Sequence, residues 1–200
     1  GRDRLEKIGR EFSFIKKTLS EYGLENVPVF DTEWNCNIAT GEVDKDRTMY
    51  YINMRNEYGA SHAAAALCEM QRLGVDAAMY YDAQLWCAYG ALFNVPELTP
   101  TKTYYAFKAF SKLYELSDAC EIQNDTTVYT CAATDGKACR AIISNLKDSD
   151  FELELQIDGF DCTSILLTSA DGAELPISRE NGKFILPANS FVFVEAKARG

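Results

Sequence analysis

The chain has 200 residues, enough for one large domain or two small ones. Hydrophobic residues make up 47%, ample for a core, while the net charge of -10 argues against nucleic acid and against anionic membrane surfaces as partners. No stretch approaches the roughly 20 apolar residues of a membrane span.

Asp3 to Tyr22 reads as a charged amphipathic helix closed by Gly23. Val27 to Phe30 reads as a short apolar strand, followed at once by the polar run Asp31-Thr32-Glu33-Trp34-Asn35. Asn56 to Leu73 is a helix rich in small residues (Ala60, Ala63, Ala64, Ala65, Ala66), stopped by Gly74. Its Asn56-Glu57 start reads as a cap. Val75 to Asp82 is a second buried strand with a polar exit, and a loop holding Gln84, Trp86 and Tyr89 follows. Pro100 and Thr101 open a helix over Thr103 to Leu116. Strands alternating with helices imply parallel βαβ units. In a parallel barrel, catalytic residues sit where strands end, and Glu33 and Asp82 both stand at such ends.

A carboxylate held at a strand end beside a flat ring suits sugar chemistry. Glu33 can attack or stabilise an oxocarbenium-like carbon, and Trp34 offers a wall for a pyranose face. The plainer reading is an ordinary solvated Glu. Asn35, Asp82 and Gln84 have the polarity to contact sugar hydroxyls, although loop capping explains the last two as well. Trp86 is either a second platform or a plug over the barrel mouth. Tyr80 and Tyr81 alternate, so only one faces the barrel interior, within reach of Glu33. Arg47 and Arg55 are candidates to steady a carboxylate, or plain surface charges. His62, the only histidine, reads as structural.

A boundary falls near residues 117–126, dividing the chain into segments 1–122 and 123–200. Downstream lie seven short β-type runs: Val128 to Ala133, Ala138 to Asn145, Phe151 to Ile157, Thr163 to Ser169, Glu174 to Ser178, Lys183 to Leu186 and Phe191 to Ala196. Asp135-Gly136, Asp171-Gly172 and Asn181-Gly182 mark hairpins. The pattern predicts an antiparallel β-sandwich. Phe151, Phe160, Phe184, Phe191 and Phe193 mostly look inward and no Trp is present, which favours a structural brace over a sugar-binding face. The seven cysteines show no CxxC and no His at metal spacing, so neither a metal nor a cofactor is expected. A two-residue turn at Asp135-Gly136 pairs Cys139 with Ala132 and puts Cys131 on the opposite face, against a disulfide between the two cysteines. Reduced thiols suit a cytoplasmic setting.

The run Asp31-Thr32-Glu33-Trp34-Asn35 resembles the seventh-strand nucleophile motif of clan A retaining glycoside hydrolases, most closely family 39, the β-xylosidases and α-L-iduronidases. The Ala-rich helix, the Tyr/Trp-bearing strand and the Pro100 to Phe107 helix start follow in that family's order, over about 115 residues, with a β-sandwich after them. The resemblance implies the C-terminal part of a (β/α)8 barrel followed by a β-sandwich, with Glu33 as nucleophile and a carbohydrate substrate. It also marks a departure. A whole barrel takes roughly 250 residues. The family's acid/base carboxylate, in an Asn-Glu strand end upstream of the nucleophile, has no counterpart before Glu33. Retaining chemistry needs two carboxyl groups at ~5 Å. The expectation is therefore part of a longer enzyme, inactive by itself, with Gly1 an artificial or processed start. Such a chain self-associates or binds the missing barrel part. Two other readings are a non-catalytic carbohydrate-binding or scaffold protein, and a subunit that completes its barrel with another chain.

Overall fold

The computed structural model describes residues 2–36, 51–85, 92–124, 127–168 and 173–200. Helix α1 spans Arg2–Glu21, strand β1 Phe30–Trp34, helix α2 Glu57–Leu73, strand β2 Ala77–Tyr80 and helix α3 Lys102–Tyr114. Strands β1 and β2 pair in parallel, as the alternation of elements requires. The remaining strands are β3 (Asp118–Ala119), β4 (Tyr129–Thr134), β5 (Ala138–Asn145), β6 (Phe151–Glu154), β7 (Phe160–Thr168), β8 (Glu174–Pro176), β9 (Lys183–Leu186) and β10 (Ser190–Ala198).

Local chemistry sets the helix limits. The Asn56 side chain accepts the Tyr58 N–H and starts α2, while Gly74 closes it with bonds to the Met70 and Gln71 carbonyls. Thr101 caps α3 in the same way, and the Thr103 hydroxyl donates to the Met54 carbonyl at 2.6 Å. Gly59 lets the start of α2 lie against the preceding turn. A Cβ there would stand 2.4 Å from the Met54 carbonyl oxygen.

The first strand lies three residues later than the apolar run predicts. Pro28 has no N–H for a ladder, and Val29 is tied instead to Asp76. Its N–H donates to the Asp76 carboxylate at 2.7 Å and its carbonyl accepts the Asp76 N–H at 3.0 Å. The ladder proper then runs from Phe30 to Trp34, so Glu33 is a residue of the strand and not of its exit. The second strand is shorter than its apolar run, ending at Tyr80.

The C-terminal region is rich in antiparallel sheet. Six strands pair in the order β3-β4-β5-β10-β7-β8, and β6 pairs with β9. Two apolar clusters lie on the two faces of the larger sheet. One brings Cys131, Ala133, Ile142, Phe191 and Phe193 against α2 and α3. The other brings Ile143, Ile165, Val192 and Val194 against Phe184 and Leu186 of β9. The sheet is thus covered by helices on one side and by the β6–β9 pair on the other. Strand β3 joins this sheet through Ala119 opposite Ala133.

Turn chemistry explains two of the local closures, the β4–β5 hairpin and the Glu180–Lys183 bridge. Asn181 and Gly182 both have positive φ, 50° and 85°, as a two-residue hairpin turn requires. The hairpin at Asp135-Gly136 forms with its register displaced by two residues from the expected one. Cys139 pairs with Thr134, not Ala132, because Asp135 stays in the strand direction and its carboxylate accepts the N–H groups of Lys137 and Ala138. A shift of two keeps the faces, so Cys131 and Cys139 still point to opposite sides. The Asp171-Gly172 hairpin lies outside the described residues.

Candidate active site

The end of the β1–β2 pair gathers most of the candidate residues. Asp31 pairs with Ala78 and Trp34 with Tyr80, three steps on one strand against two on the other, so β1 carries a bulge. The extra residue leaves two consecutive side chains, Thr32 and Glu33, exposed, with Asp31 half-buried before them and Trp34 buried after. Among the described residues no hydrogen-bond or ion-pair partner is recorded for the Glu33 carboxylate. The Asp31 carboxylate accepts the Glu33 backbone N–H. Burial pushes the Asp31 carboxyl above the usual range, this hydrogen bond pulls it back, and the Glu11 charge adds to the rise. Sequence reasoning passed over Asp31, whose spacing of two residues before Glu33 is the available signal.

Trp34 is not the stacking platform expected of it. Its side chain is only 6% exposed. The ring lies 5.0 Å from Tyr80, edge to face, and 5.8 Å from Phe107 of α3, inside the cluster built around the alanines of α2. The reason is alternation: with Glu33 outward, its neighbour must face the helices. Tyr80 shares that fate, 4.9 Å from Phe107. Tyr81, 43% exposed, is the one free of the core, and its N–H donates to the Trp34 carbonyl at 2.9 Å.

Asn35 is a clamp. Its amide donates to the Tyr81 carbonyl, and its Oδ1 accepts the Cys36 N–H at 2.6 Å, so it ties the two strand ends together. Asp82 accepts the Gln84 backbone N–H at 3.2 Å, which is the loop-capping alternative. Gln84 is exposed. Trp86, with Tyr89 and Cys87, lies outside the described residues, as does Arg47. Arg55 stacks on the Tyr51 ring at 3.4 Å and donates to the Tyr51 carbonyl. His62 is buried in α2. Glu57, beside the Asn56 cap, pairs with Lys102, and that hydrogen bond holds its carboxyl below the usual range.

Among the described residues no cluster of His, Cys, Asp and Glu suits a metal ion. A polar cavity of about 210 Å³, lined by Glu154, Asp161, Arg179 and Arg199, lies on the C-terminal sheets and not at β1 and β2. Phe184, Phe191 and Phe193 are buried there.

No family model and no curated protein matches the chain. Solved structures do share its fold. A family 30 subfamily 8 glycoside hydrolase xylanase from Clostridium acetobutylicum superposes with a TM-score of 0.58 at 17% identity, over 87% of this chain and 43% of its own. A bifunctional glucanase-xylanase from a metagenome library gives 0.61 at 18%, over 94% and 34%. A monomeric β-xylosidase from Caulobacter crescentus gives 0.64 at 12%, over 98% and 50%. The chain therefore spans between a third and a half of the length of these glycoside hydrolases, and at such identities the likeness is one of fold. These structures do not single out family 39, and the resemblance to it rests on the sequence motifs alone.

Proposed function

We propose that the chain is the C-terminal part of a retaining glycoside hydrolase of the β-xylosidase type, cleaving O-glycosyl bonds with Glu33 as nucleophile. The observation that carries this reading is an exposed carboxylate, Glu33, on one strand of a parallel pair in a fold shared with glycoside hydrolases. The Glu33 carboxylate attacks the anomeric carbon and forms a glycosyl-enzyme, which water then hydrolyses. Asp31 holds the Glu33 backbone through its N–H. Asn35 keeps the two strand ends in register. Tyr81, Asp82 and Gln84 stand at the neighbouring strand end, where sugar hydroxyls would be met. The proton donor to the leaving oxygen comes from the part of the barrel that precedes this segment, and the C-terminal sheets brace the barrel.

In the intact protein, Glu33→Ala lowers turnover of an aryl β-xyloside on the order of 10⁴-fold or more, the scale of losing one member of a nucleophilic constellation. Azide restores turnover with an inverted product. Near-normal turnover by the variant overturns the assignment.

The same reading makes the 200-residue chain silent alone, since general acid catalysis is worth typically 10²–10⁴-fold and its group is elsewhere. It also identifies the partner. Phe14 and Ile15 on α1, Phe30 on β1 and Met79 on β2 are exposed, at 69%, 41%, 52% and 44%. Exposed strand edges and apolar side chains drive association. The chain pairs with the N-terminal barrel segment, or with itself when alone. Light scattering across micromolar concentrations reads this. A monodisperse monomer with β1 and β2 amides protected from exchange counts against it.

A further inference from the structure

Two buried thiols meet at the junction between the helical layer and the six-stranded sheet. Cys68 lies on α2 and Cys131 on β4, 63 residues apart, and both are buried in the helix-side core. Their sulfur atoms stand 3.0 Å apart. That is only about 1 Å longer than a disulfide bond. The backbone elements that carry them are fixed independently, α2 by its caps and β4 by its ladder to β5. The two sulfurs are therefore brought together by the fold itself.

The geometry points to a Cys68–Cys131 disulfide that staples α2 to the C-terminal sheet. The oxidant is a low-molecular-weight disulfide of the glutathione type. One cysteine thiolate attacks it and releases one glutathione thiolate, leaving a mixed disulfide. The second cysteine thiolate attacks the protein sulfur of that mixed disulfide, forms the Cys68–Cys131 bond and releases the second glutathione. The two protons lost by the cysteines end on the two glutathione thiolates, and the two electrons with them. Burial first, then the hydrogen bond with Cys131, push the Cys68 thiol well up, so the thiolate forms most readily before the core closes. The bond is made as the chain folds. It is independent of any catalytic role of Glu33.

Peptide mapping decides the matter. The chain is refolded from urea in a reduced and oxidised glutathione buffer, alkylated, and digested without reductant. It carries Cys120→Ser and Cys139→Ser so that the peptide holding Cys131 has one thiol. The expected result is a cross-linked pair of peptides carrying Cys68 and Cys131, lighter by two hydrogens and separated by reduction. The oxidised chain should also unfold at higher urea than its Cys68→Ala variant, with an unfolding constant lower by on the order of a thousandfold, the chain-entropy value for a loop of this length. Complete alkylation of both thiols, or linkage of Cys68 to a different cysteine, overturns the inference.

Discussion

Replacing Trp34 separates the two roles its position allows. A sugar platform and a core residue differ in what their loss does. Trp34 is 6% exposed and packs on Tyr80 and Phe107 among the alanines of α2. Removing a buried Trp to Ala costs about 3–5 kcal/mol. With a urea dependence of about 2 kcal/mol per molar for a chain of this size, the unfolding midpoint falls by about 2 M. Trp34→Phe is the finer test. It deletes part of the ring, at a cost of about 1–2 kcal/mol. It also deletes an indole N–H for which no acceptor is found among the described residues, and an unmet buried donor costs about 1–3 kcal/mol. The two effects nearly offset, so Trp34→Phe is expected within about 1 kcal/mol of the parent. Urea unfolding followed by far-UV circular dichroism, at one protein concentration, measures both. A Trp34→Ala midpoint close to the parent's, joined to a raised KM for a glycoside in the intact protein, refutes the argument and restores the platform.

Two further outcomes follow from buried polar groups. Asn145 is fully buried, donating to the carbonyls of Ser149 at 2.9 Å and Pro187 at 3.1 Å and accepting the Lys147 N–H at 2.9 Å. Asn145→Ala should cost about 2–4 kcal/mol by urea midpoint, and Asn145→Asp more, because a carboxylate would face the carbonyls it cannot bond. Asp31 has a folded pKa above its unfolded value, through burial first. The native state then binds the extra proton between the two pKa values, so this group's contribution is most favourable below the unfolded pKa and is lost as pH rises through the folded one. Asp31→Asn keeps an acceptor for the Glu33 N–H and removes the titration. It should be more stable than the parent at neutral pH, with the gap closing on acidification toward pH 3. A gap independent of pH would sink this account.

Periodicity and punctuation made the helices legible and placed the turns at Asp135-Gly136 and Asn181-Gly182, but not the register of the first. The limits of α2 follow from Asn56 and Gly74, and the β9 hairpin from Asn181-Gly182, because in each case one residue's side chain or conformation decides the local geometry. What stayed hidden depends on long-range pairing. The start of β1 is set by Asp76, 47 residues from the Val29 N–H it accepts. The side on which Trp34 falls is set by a bulge in β1, and a one-residue insertion reverses every assignment after it. Glu33 was readable as a candidate because a carboxylate between a strand and a Trp is conspicuous. Its neighbours' roles were not, since Asn35 and Trp34 serve the packing of the strand pair and only the fold reveals that.

The packing behind Glu33 gives the C-terminal sheets a mechanical meaning. Helix α2 lies between the β1–β2 pair and the six-stranded sheet, touching β4, β5 and β10. Ala64 and Ala65 on it are wholly buried, and so is Ser61, whose carbonyl accepts the Ser144 hydroxyl of β5 at 2.7 Å. Small side chains let a helix approach a neighbouring sheet closely, and close-packed interiors transmit displacement with little compression. Trp34, directly next to Glu33, belongs to the same buried cluster as Ile142 and Phe193 of the sheet. The backbone next to Glu33 is therefore backed, through Trp34 and the alanines, by a sheet that itself closes a second core on its far side. That continuity ties the C-terminal sheet to the strand that carries Glu33 through one buried cluster.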